Sequence, residues 1–179
     1  MAAKGFIKLL EIAERSKQRS LSMPSAGQAA EFWSGVGFTL AGQNFVVPMG
    51  EVAEVLTVPR YTSVPGVKHW MKGLANVRGR LLPIMDLLGF LNRASNMQDS
   101  RRRLMVVDQG DIFSGLVVDE VLGMQHFSVS EYRLGSPLEF PELGPYVQGA
   151  FVRDGKAWVV FLVSRLVEDP QFLQAAALA

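Results

Sequence analysis

The chain has 179 residues, of which 49% are hydrophobic and 20% charged, with a formal net charge of +1. This composition suits one globular domain or two small subdomains sharing a core, and the near-neutral charge argues against bulk nucleic-acid binding, which leaves a basic footprint. There is no cysteine, which excludes disulfides, thiolate metal sites and cysteine nucleophiles. No apolar run approaches the roughly 20 residues that span a bilayer, and the N-terminus lacks the apolar stretch of a signal peptide. We therefore expect a cytoplasmic protein.

The first segment, 1–34, is expected to be a helix and a linker. Apolar residues recur there at helical spacing, with charged residues between them: Phe6, Leu9, Leu10 and Ala13. This pattern predicts an amphipathic helix over about 5–20, and the Ser, Pro and Gly residues that follow predict a linker. The helix can pack on the main body or dock on a partner, and the sequence slightly favours packing.

Short strands follow from about residue 36. Alternating apolar residues on both sides of Ala41 and Gly42 predict a hairpin, and a further strand is expected over 52–58. Pro65 is a plausible first residue of a short helix that ends near Lys72.

The stretch from Gly73 to Leu91 predicts two apolar strands around a tight turn, running into a helical turn. Gly79 can take a positive φ angle at no steric cost, so it suits the centre of that turn. Arg78 and Arg80 flank it and are handles for another protein, although isolated surface charges usually do nothing specific.

The second half repeats the order of elements in the first. A hairpin follows residue 104, a strand follows residue 121, and the turn before Lys156 echoes the turn at Gly79. We therefore predict a duplicated five-strand unit that forms two small barrels, at about 36–91 and 101–162, with exchange of strands between them left open. A short C-terminal helix is expected within 168–179.

Catalytic machinery is not apparent, so we predict a non-enzyme without metal or cofactor. The two histidines, His69 and His126, lie in different halves and lack the spacing of metal ligands or of a catalytic triad. An enzyme site would have to be assembled from Asp86, Asp119 and His126, where no nucleophile and base are spaced suggestively.

A second alternative is a small-barrel protein that binds nucleic acid. Arg78, Arg80 and the run 101–103 would form its basic groove. Interleaved exposed aromatic residues for base stacking are missing. The arginines at 101–103 are more simply interpreted as solvent-exposed residues at the start of a strand.

Several motifs in a fixed order resemble those of one family. They are Phe38-x-Leu40, Phe45-Val46-Val47-Pro48, Val52-Ala53-Glu54-Val55, Asn76-Val77-Arg78-Gly79 and Pro83-Ile84-Met85-Asp86-Leu87. On these motifs the chain resembles the CheW-like coupling proteins of bacterial chemosensory arrays, with a domain over 35–167. The sequence of these motifs is most similar to that of family members that serve pathways controlling type IV pili and twitching motility.

The resemblance implies a mainly β fold of two SH3-like five-stranded barrels and a non-enzymatic adaptor. Its partners would be the regulatory domain of a CheA-type histidine kinase and the cytoplasmic tip of a methyl-accepting chemoreceptor, with recruitment to membrane-bound arrays and self-association into rings left open. Carried over by position, the kinase-binding residues are Val52 and Glu54. The receptor-binding residues are Gly73, Asn76, Arg78 and Gly79.

Overall fold

The computed structural model describes residues 31–135 and 139–175, which form a mainly β structure, as predicted. The strands are β1 (Phe32–Leu40), β2 (Gln43–Pro48), β3 (Glu54–Thr57), β4 (Met71–Val77), β5 (Arg80–Asp86), β6 (Arg103–Gln109), β7 (Ile112–Val118), β8 (Glu120–Ser128), β9 (Tyr132–Arg133), β10 (Val147–Arg153) and β11 (Lys156–Phe161). The helices are α1 (Leu87–Phe90), α2 (Val163–Leu166) and α3 (Pro170–Leu173), with 3-10 turns at Val129–Glu131 and Pro141–Tyr146. None of these helices is long and apolar enough to span a membrane.

The strands form two sheets that each combine both halves of the chain. The six-stranded sheet has the order β8-β1-β2-β11-β10-β9, and the five-stranded sheet has the order β3-β6-β7-β5-β4. The first hairpin, β1–β2, thus lies with the strands of the second half, and the hairpin β6–β7 lies with β3, β4 and β5. Each sheet therefore draws strands from both of the predicted spans, 36–91 and 101–162.

The duplication predicted from the sequence is visible in the pairing. In each sheet a hairpin is joined by a parallel pair to the last strand of the other half: β2 with β11, and β7 with β5. The short bridge of Thr62 with Leu74 in the five-stranded sheet takes the place of the pair β9–β10 in the other. The two halves have therefore exchanged their first hairpins.

Both faces of the inner strands are buried, which explains their nearly continuous apolar sequences. On β2, Phe45 and Val47 belong to a central core that also takes in Met105 and Leu116 of the other sheet, whereas Val46 faces a second core. The second core belongs to the six-stranded sheet and includes stacked Trp33, Phe127 and Phe151. A third core, with Leu82, Ile84, Leu104 and Val117, belongs to the five-stranded sheet. The two sheets thus pack against each other through the central core.

The three predicted helices have different outcomes in the structure. The helix expected from Pro65 to about Lys72 is wrong, because that segment forms turns and Met71 already begins β4. The C-terminal helix is present as the single turn α3, where the Asp169 carboxylate accepts a hydrogen bond from the backbone N–H of Gln171 at 2.7 Å. The amphipathic helix predicted over 5–20 lies outside the described residues.

The guanidinium of Arg102 lies buried where the chain passes between the sheets. Its side chain is 1% exposed, and it donates two hydrogen bonds to Asp86, at 2.7 and 2.8 Å. The Asp119 carboxylate lies 3.4 Å from Arg102 Nε and accepts a hydrogen bond at 2.7 Å from the backbone N–H of Ala41, in the β1–β2 turn. Asp86 ends β5 and caps α1, so one cluster joins elements of both sheets. The interpretation of 101–103 as solvated is therefore wrong for Arg102, because its side chain is buried and its charge is neutralised by the carboxylates of Asp86 and Asp119.

A partly exposed extension of this cluster contains Lys72, Asp99 and Tyr61. Lys72 Nζ lies 2.8 Å from Asp99, and the Tyr61 hydroxyl donates to Asp99 at 3.1 Å. Burial acts to raise the pKa of Asp99, but the hydrogen bonds and charge of Lys72, the Tyr61 hydroxyl and the Arg102 charge outweigh it and hold that pKa below its usual value. Burial and the hydrogen bond to Asp99 raise the pKa of Tyr61.

Removing the buried cation is expected to destabilise the fold strongly. Arg102→Leu leaves the carboxylates of Asp86 and Asp119 without their partner, and breaking a buried ion pair in this way costs about 3–5 kcal/mol. Urea unfolding at pH 7 measures the loss. Arg101→Ala, at the exposed neighbouring position, is the matched control and should change stability by less than about 0.5 kcal/mol. Equal losses for the two variants would contradict the assigned role of Arg102.

The Asp99 contacts predict a specific dependence of stability on pH. A lowered pKa in the folded state contributes stability above the unfolded-state value of about 3.9, and this is lost as the pH falls through the folded-state value. The destabilisation caused by Asp99→Asn should therefore be greatest near neutral pH and shrink in acid. Unfolding curves between pH 7 and pH 3 test this, with Asp111→Asn, in an exposed turn, as control. A destabilisation that stays constant over that range would refute the prediction.

Candidate protein-binding surface

The β4–β5 turn holds an arginine in a backbone conformation that side chains rarely adopt. Arg78 has φ of 52° and Gly79 has φ of 82°, the left-handed pair that a two-residue hairpin turn requires. The Asn76 side-chain oxygen accepts a hydrogen bond of 2.9 Å from the backbone N–H of Gly79, which fixes the turn. The arginine therefore projects from a rigid base.

Arg78 forms an ion pair with Glu54, which lies on β3 at the opposite edge of the same sheet. The sheet must therefore curl until its two edge strands approach each other. The Arg78 side chain is 76% exposed despite this contact. A pair this exposed adds at most about 1 kcal/mol to stability, so most of the guanidinium is available to a partner.

Gly73 allows a neighbouring segment of the chain to lie against β4 in this curled sheet. A Cβ atom at this position would lie 2.2 Å from the carbonyl oxygen of Thr62, whose backbone bridges Leu74 through hydrogen bonds of 2.8 and 2.9 Å. Gly73 and Asn76, both predicted to bind a receptor, thus have structural roles that explain their residue types. Gly79 supplies the positive φ of the turn.

The residues predicted to bind two different partners adjoin in the structure. Glu54, from the predicted kinase-binding pair, touches Arg78 from the predicted receptor-binding set. Val52, the other member of the pair, is partly buried and packs against the central core. The two predicted surfaces are therefore continuous around this ion pair rather than separate faces.

Two exposed apolar residues near this ion pair were not singled out from the sequence. Leu81 on β5 is 67% exposed and lies opposite Asn76, and Val55 follows Glu54 on β3 and is also exposed. The only signal in the sequence is that each is an apolar residue beside a charged one. Val55 points to the opposite face of β3 from Glu54, because its partner Met105 belongs to the central core and the partner of Glu54, Val106, to the third core. We name Glu54, Arg78, Gly79 and Leu81 together the hairpin surface.

The basic groove required for nucleic-acid binding is not formed. Arg80 pairs with Asp108 at 2.7 Å and lies over the Phe113 ring at 3.6 Å, and Arg78 pairs with Glu54. Arg102, in the middle of the remaining arginines, is buried. Arg78, Arg80 and Arg102 are thus each paired with a different carboxylate, and the alternative is not favoured.

The carboxylates of the hypothetical enzyme site do come together, but around a cation. Asp86 and Asp119 both face Arg102, whereas the ring of His126 bonds to the Ser34 hydroxyl at 2.7 Å. Within residues 31–135 and 139–175, no three His, Asp or Glu side chains are grouped to hold a metal ion.

The other sheet carries an equivalent turn with different chemistry. Asp154 and Gly155 have φ angles of 51° and 72°, matching Arg78 and Gly79, so the backbone is repeated while the exposed charge is reversed. The preceding Arg153 lies over the rings of Phe127 and Trp158, at 4.6 and 5.1 Å.

Comparison with known proteins agrees with these features. The chain is 47% identical to Protein PilI of Pseudomonas aeruginosa over 94% of both chains, and 30% identical to Protein FrzA of Myxococcus xanthus over 71% of this chain and 79% of FrzA. The crystal structure of the scaffolding protein TtCheW from Thermoanaerobacter tengcongensis has the same fold, with a TM-score of 0.62 and 21% identity over 73% of this chain and 89% of TtCheW. The family model described as CheW-like domain matches residues 34–171. The resemblance inferred from the motifs is thus confirmed, and the chain belongs to the CheW-like family.

Proposed function

We propose that this protein is a non-enzymatic adaptor that couples a methyl-accepting chemoreceptor to a CheA-type histidine kinase. The match to the CheW-like domain over 34–171 supports this proposal. The similarity to PilI supports an assignment to a pathway that controls twitching by type IV pili. The adaptor would act in the cytoplasm and be recruited to membrane-bound receptor arrays, where further contacts between copies would extend a ring.

The ion pair between Glu54 and Arg78 is the observation on which the mechanism rests. It joins a residue proposed to meet the kinase to one proposed to meet the receptor, on two edges of one curled sheet. A partner carboxylate that competes with Glu54 for the guanidinium of Arg78 would weaken this ion pair. Occupancy of one site therefore changes the charge presented at the other, with no chemical reaction.

The kinase contact is assigned to β3. This strand is only four residues long and pairs on one side with β6, and within residues 31–135 and 139–175 its other backbone edge carries no strand. Glu54 and Val55 present a charge and an exposed apolar side chain on opposite faces of this strand. Val52, which packs against the central core, would position the strand.

The receptor contact is assigned to the β4–β5 turn. Leu81 gives an apolar contact beside the charge of Arg78, as in recognition of an amphipathic helix laid against a protein surface. Gly73 and Asn76 act as positioning residues that hold the turn, and Gly79 allows its close approach to the helix.

Replacement of Arg78 should separate binding from folding. Arg78→Ala is expected to weaken binding of the receptor tip about tenfold, which corresponds to about 1.4 kcal/mol. Unfolding stability should fall by less than about 1 kcal/mol, because the lost ion pair is exposed. Titration with a receptor cytoplasmic fragment and urea unfolding measure the two effects. Arg80→Ala, which removes the other arginine of the same hairpin, should leave receptor binding unchanged.

Exchange of the charges at positions 54 and 78 distinguishes two roles of Arg78. The residue either contacts the receptor directly or only maintains the local structure through its ion pair with Glu54. The double variant Glu54→Arg with Arg78→Glu can re-form the ion pair in reverse, but it presents the opposite charge to a partner. We expect receptor binding to stay weak in the double variant, because the exposed guanidinium itself is bound. Recovery of receptor binding would show that only the ion pair matters, and unchanged binding in Arg78→Ala would remove Arg78 from the site.

A further inference from the structure

The outer end of the six-stranded sheet is a two-stranded ribbon. β1 and β8 each have nine residues, whereas β2 has six and pairs with β1 only as far as Gly35, opposite Pro48. Beyond that point β1 pairs with β8 alone, ending at Phe32 opposite Ser128. One side of this ribbon is covered, because Trp33 stacks on Phe151 at 4.9 Å within the second core.

The other side of the ribbon has no covering element among the described residues. It carries Phe32, Ser34 and His126, and it continues onto Val36 and Met124, where β1 also pairs with β2 through Val36 and Val47; we call these five residues the ribbon face. Phe32 is 65% exposed and Met124 is 57% exposed. Met124 lies opposite Val36, and the His126–Ser34 hydrogen bond satisfies polar groups between the apolar ends. Large apolar side chains exposed on one face, with their polar neighbours paired, mark an interaction surface.

We propose that residues 5–20 of the same chain dock on the ribbon face. The spacing of Phe6, Leu9, Leu10 and Ala13 predicts a helix with one apolar side, and such a side must be buried against a matching surface. The ribbon face offers the exposed apolar side chains of Phe32 and Met124, and it lies on the strand that the N-terminal segment enters directly.

The point of entry places the segment beside the face. The carbonyl oxygen of Glu31 accepts a hydrogen bond of 3.0 Å from the backbone N–H of Val129, which ties the start of the described chain to the end of β8. Ten residues lie between Ser20 and Glu31, and the eleven extended Cα–Cα steps from one to the other reach up to about 36 Å. The ribbon face from Phe32 to Val36 is about 13 Å long. The linker therefore reaches any part of the face.

Because residues 5–20 are covalently connected to β1, even a weak contact is sufficient to keep them on the ribbon face. A covalent tether of about this length gives the attached segment an effective concentration in the millimolar range. A contact made by three or four apolar side chains can be occupied at such a concentration, whereas a free peptide at micromolar concentration would leave the face empty. The comparison with PilI covers 94% of this chain and so takes in most of the segment before Glu31, which the CheW-like match, beginning at residue 34, does not.

The absence of native cysteine allows a direct test by disulfide cross-linking in the full chain. Met124→Cys is combined in turn with Phe6→Cys, Leu9→Cys, Leu10→Cys and Ala13→Cys, and the monomer is analysed after mild oxidation. We expect intramolecular cross-links at least tenfold faster at one or more of these positions than at Glu11→Cys, on the charged side of the predicted helix. Leu81→Cys, equally exposed on the other sheet, replaces Met124→Cys as the matched control and should not cross-link.

A second measurement uses no introduced cysteine. Docking should slow oxidation of Met124 by dilute peroxide, and the double variant Leu9→Asp with Leu10→Asp should speed that oxidation severalfold, whereas Glu11→Lys should not. Cross-links between two molecules would assign the ribbon face to a second copy and overturn the proposal. Equal cross-linking at apolar and charged positions, or Met124 oxidation unaffected by the double variant, would also overturn it.

Discussion

The buried guanidinium of Arg102 is the interaction on which the arrangement of the two sheets depends. A lone charge in this position would be very costly, and it is tolerated because Asp86 binds it through two hydrogen bonds and Asp119 lies against it. These carboxylates come from the end of β5 and from the connection between β7 and β8, where the chain leaves one sheet for the other. Asp119 also holds the β1–β2 turn through the N–H of Ala41. A single cation therefore fixes the place where the exchanged hairpins meet.

Exchange of the first hairpins has a mechanical consequence. Because each sheet contains strands from both halves, neither half can complete its own sheet, and the central core between the sheets is shared. Displacement of one sheet against the other would expose Phe45 and Met105 together, along with the rest of that core. Such a body transmits a disturbance at its edge by local changes in charge and contact more readily than by hinge motion. This is the behaviour proposed for the hairpin surface, where Glu54 and Arg78 join two edges of one sheet.

Local sequence patterns predicted the strands and turns, since alternation and turn residues are short-range signals. The β4–β5 hairpin, with Arg78 and Gly79 at its turn, was predicted in this way, and the duplicated order of elements was visible for the same reason. Which hairpin joins which sheet could not be predicted, because that choice depends on packing between residues far apart in the chain. The burial of Arg102 was missed because three consecutive arginines look alike in sequence. The available signal was indirect: Asp86 and Asp119 each directly follow an apolar strand and require a cation.

Comparison of the two halves shows which residues the fold requires in both and which exposed side chains differ between them. Gly73 and Gly149 both have positive φ, and a Cβ atom on either would meet a carbonyl oxygen of the neighbouring segment, at 2.2 and 2.6 Å. The turn glycines are likewise repeated, so both halves keep the backbone geometry of the fold. The exposed side chain at the turn is not repeated, because Arg78 in one half corresponds to Asp154 in the other. A position that the fold leaves free to vary, yet holds on a rigid turn with strained φ, is suited to recognising a partner. This contrast supports the proposed binding role of Arg78, whereas Gly73 is explained by folding.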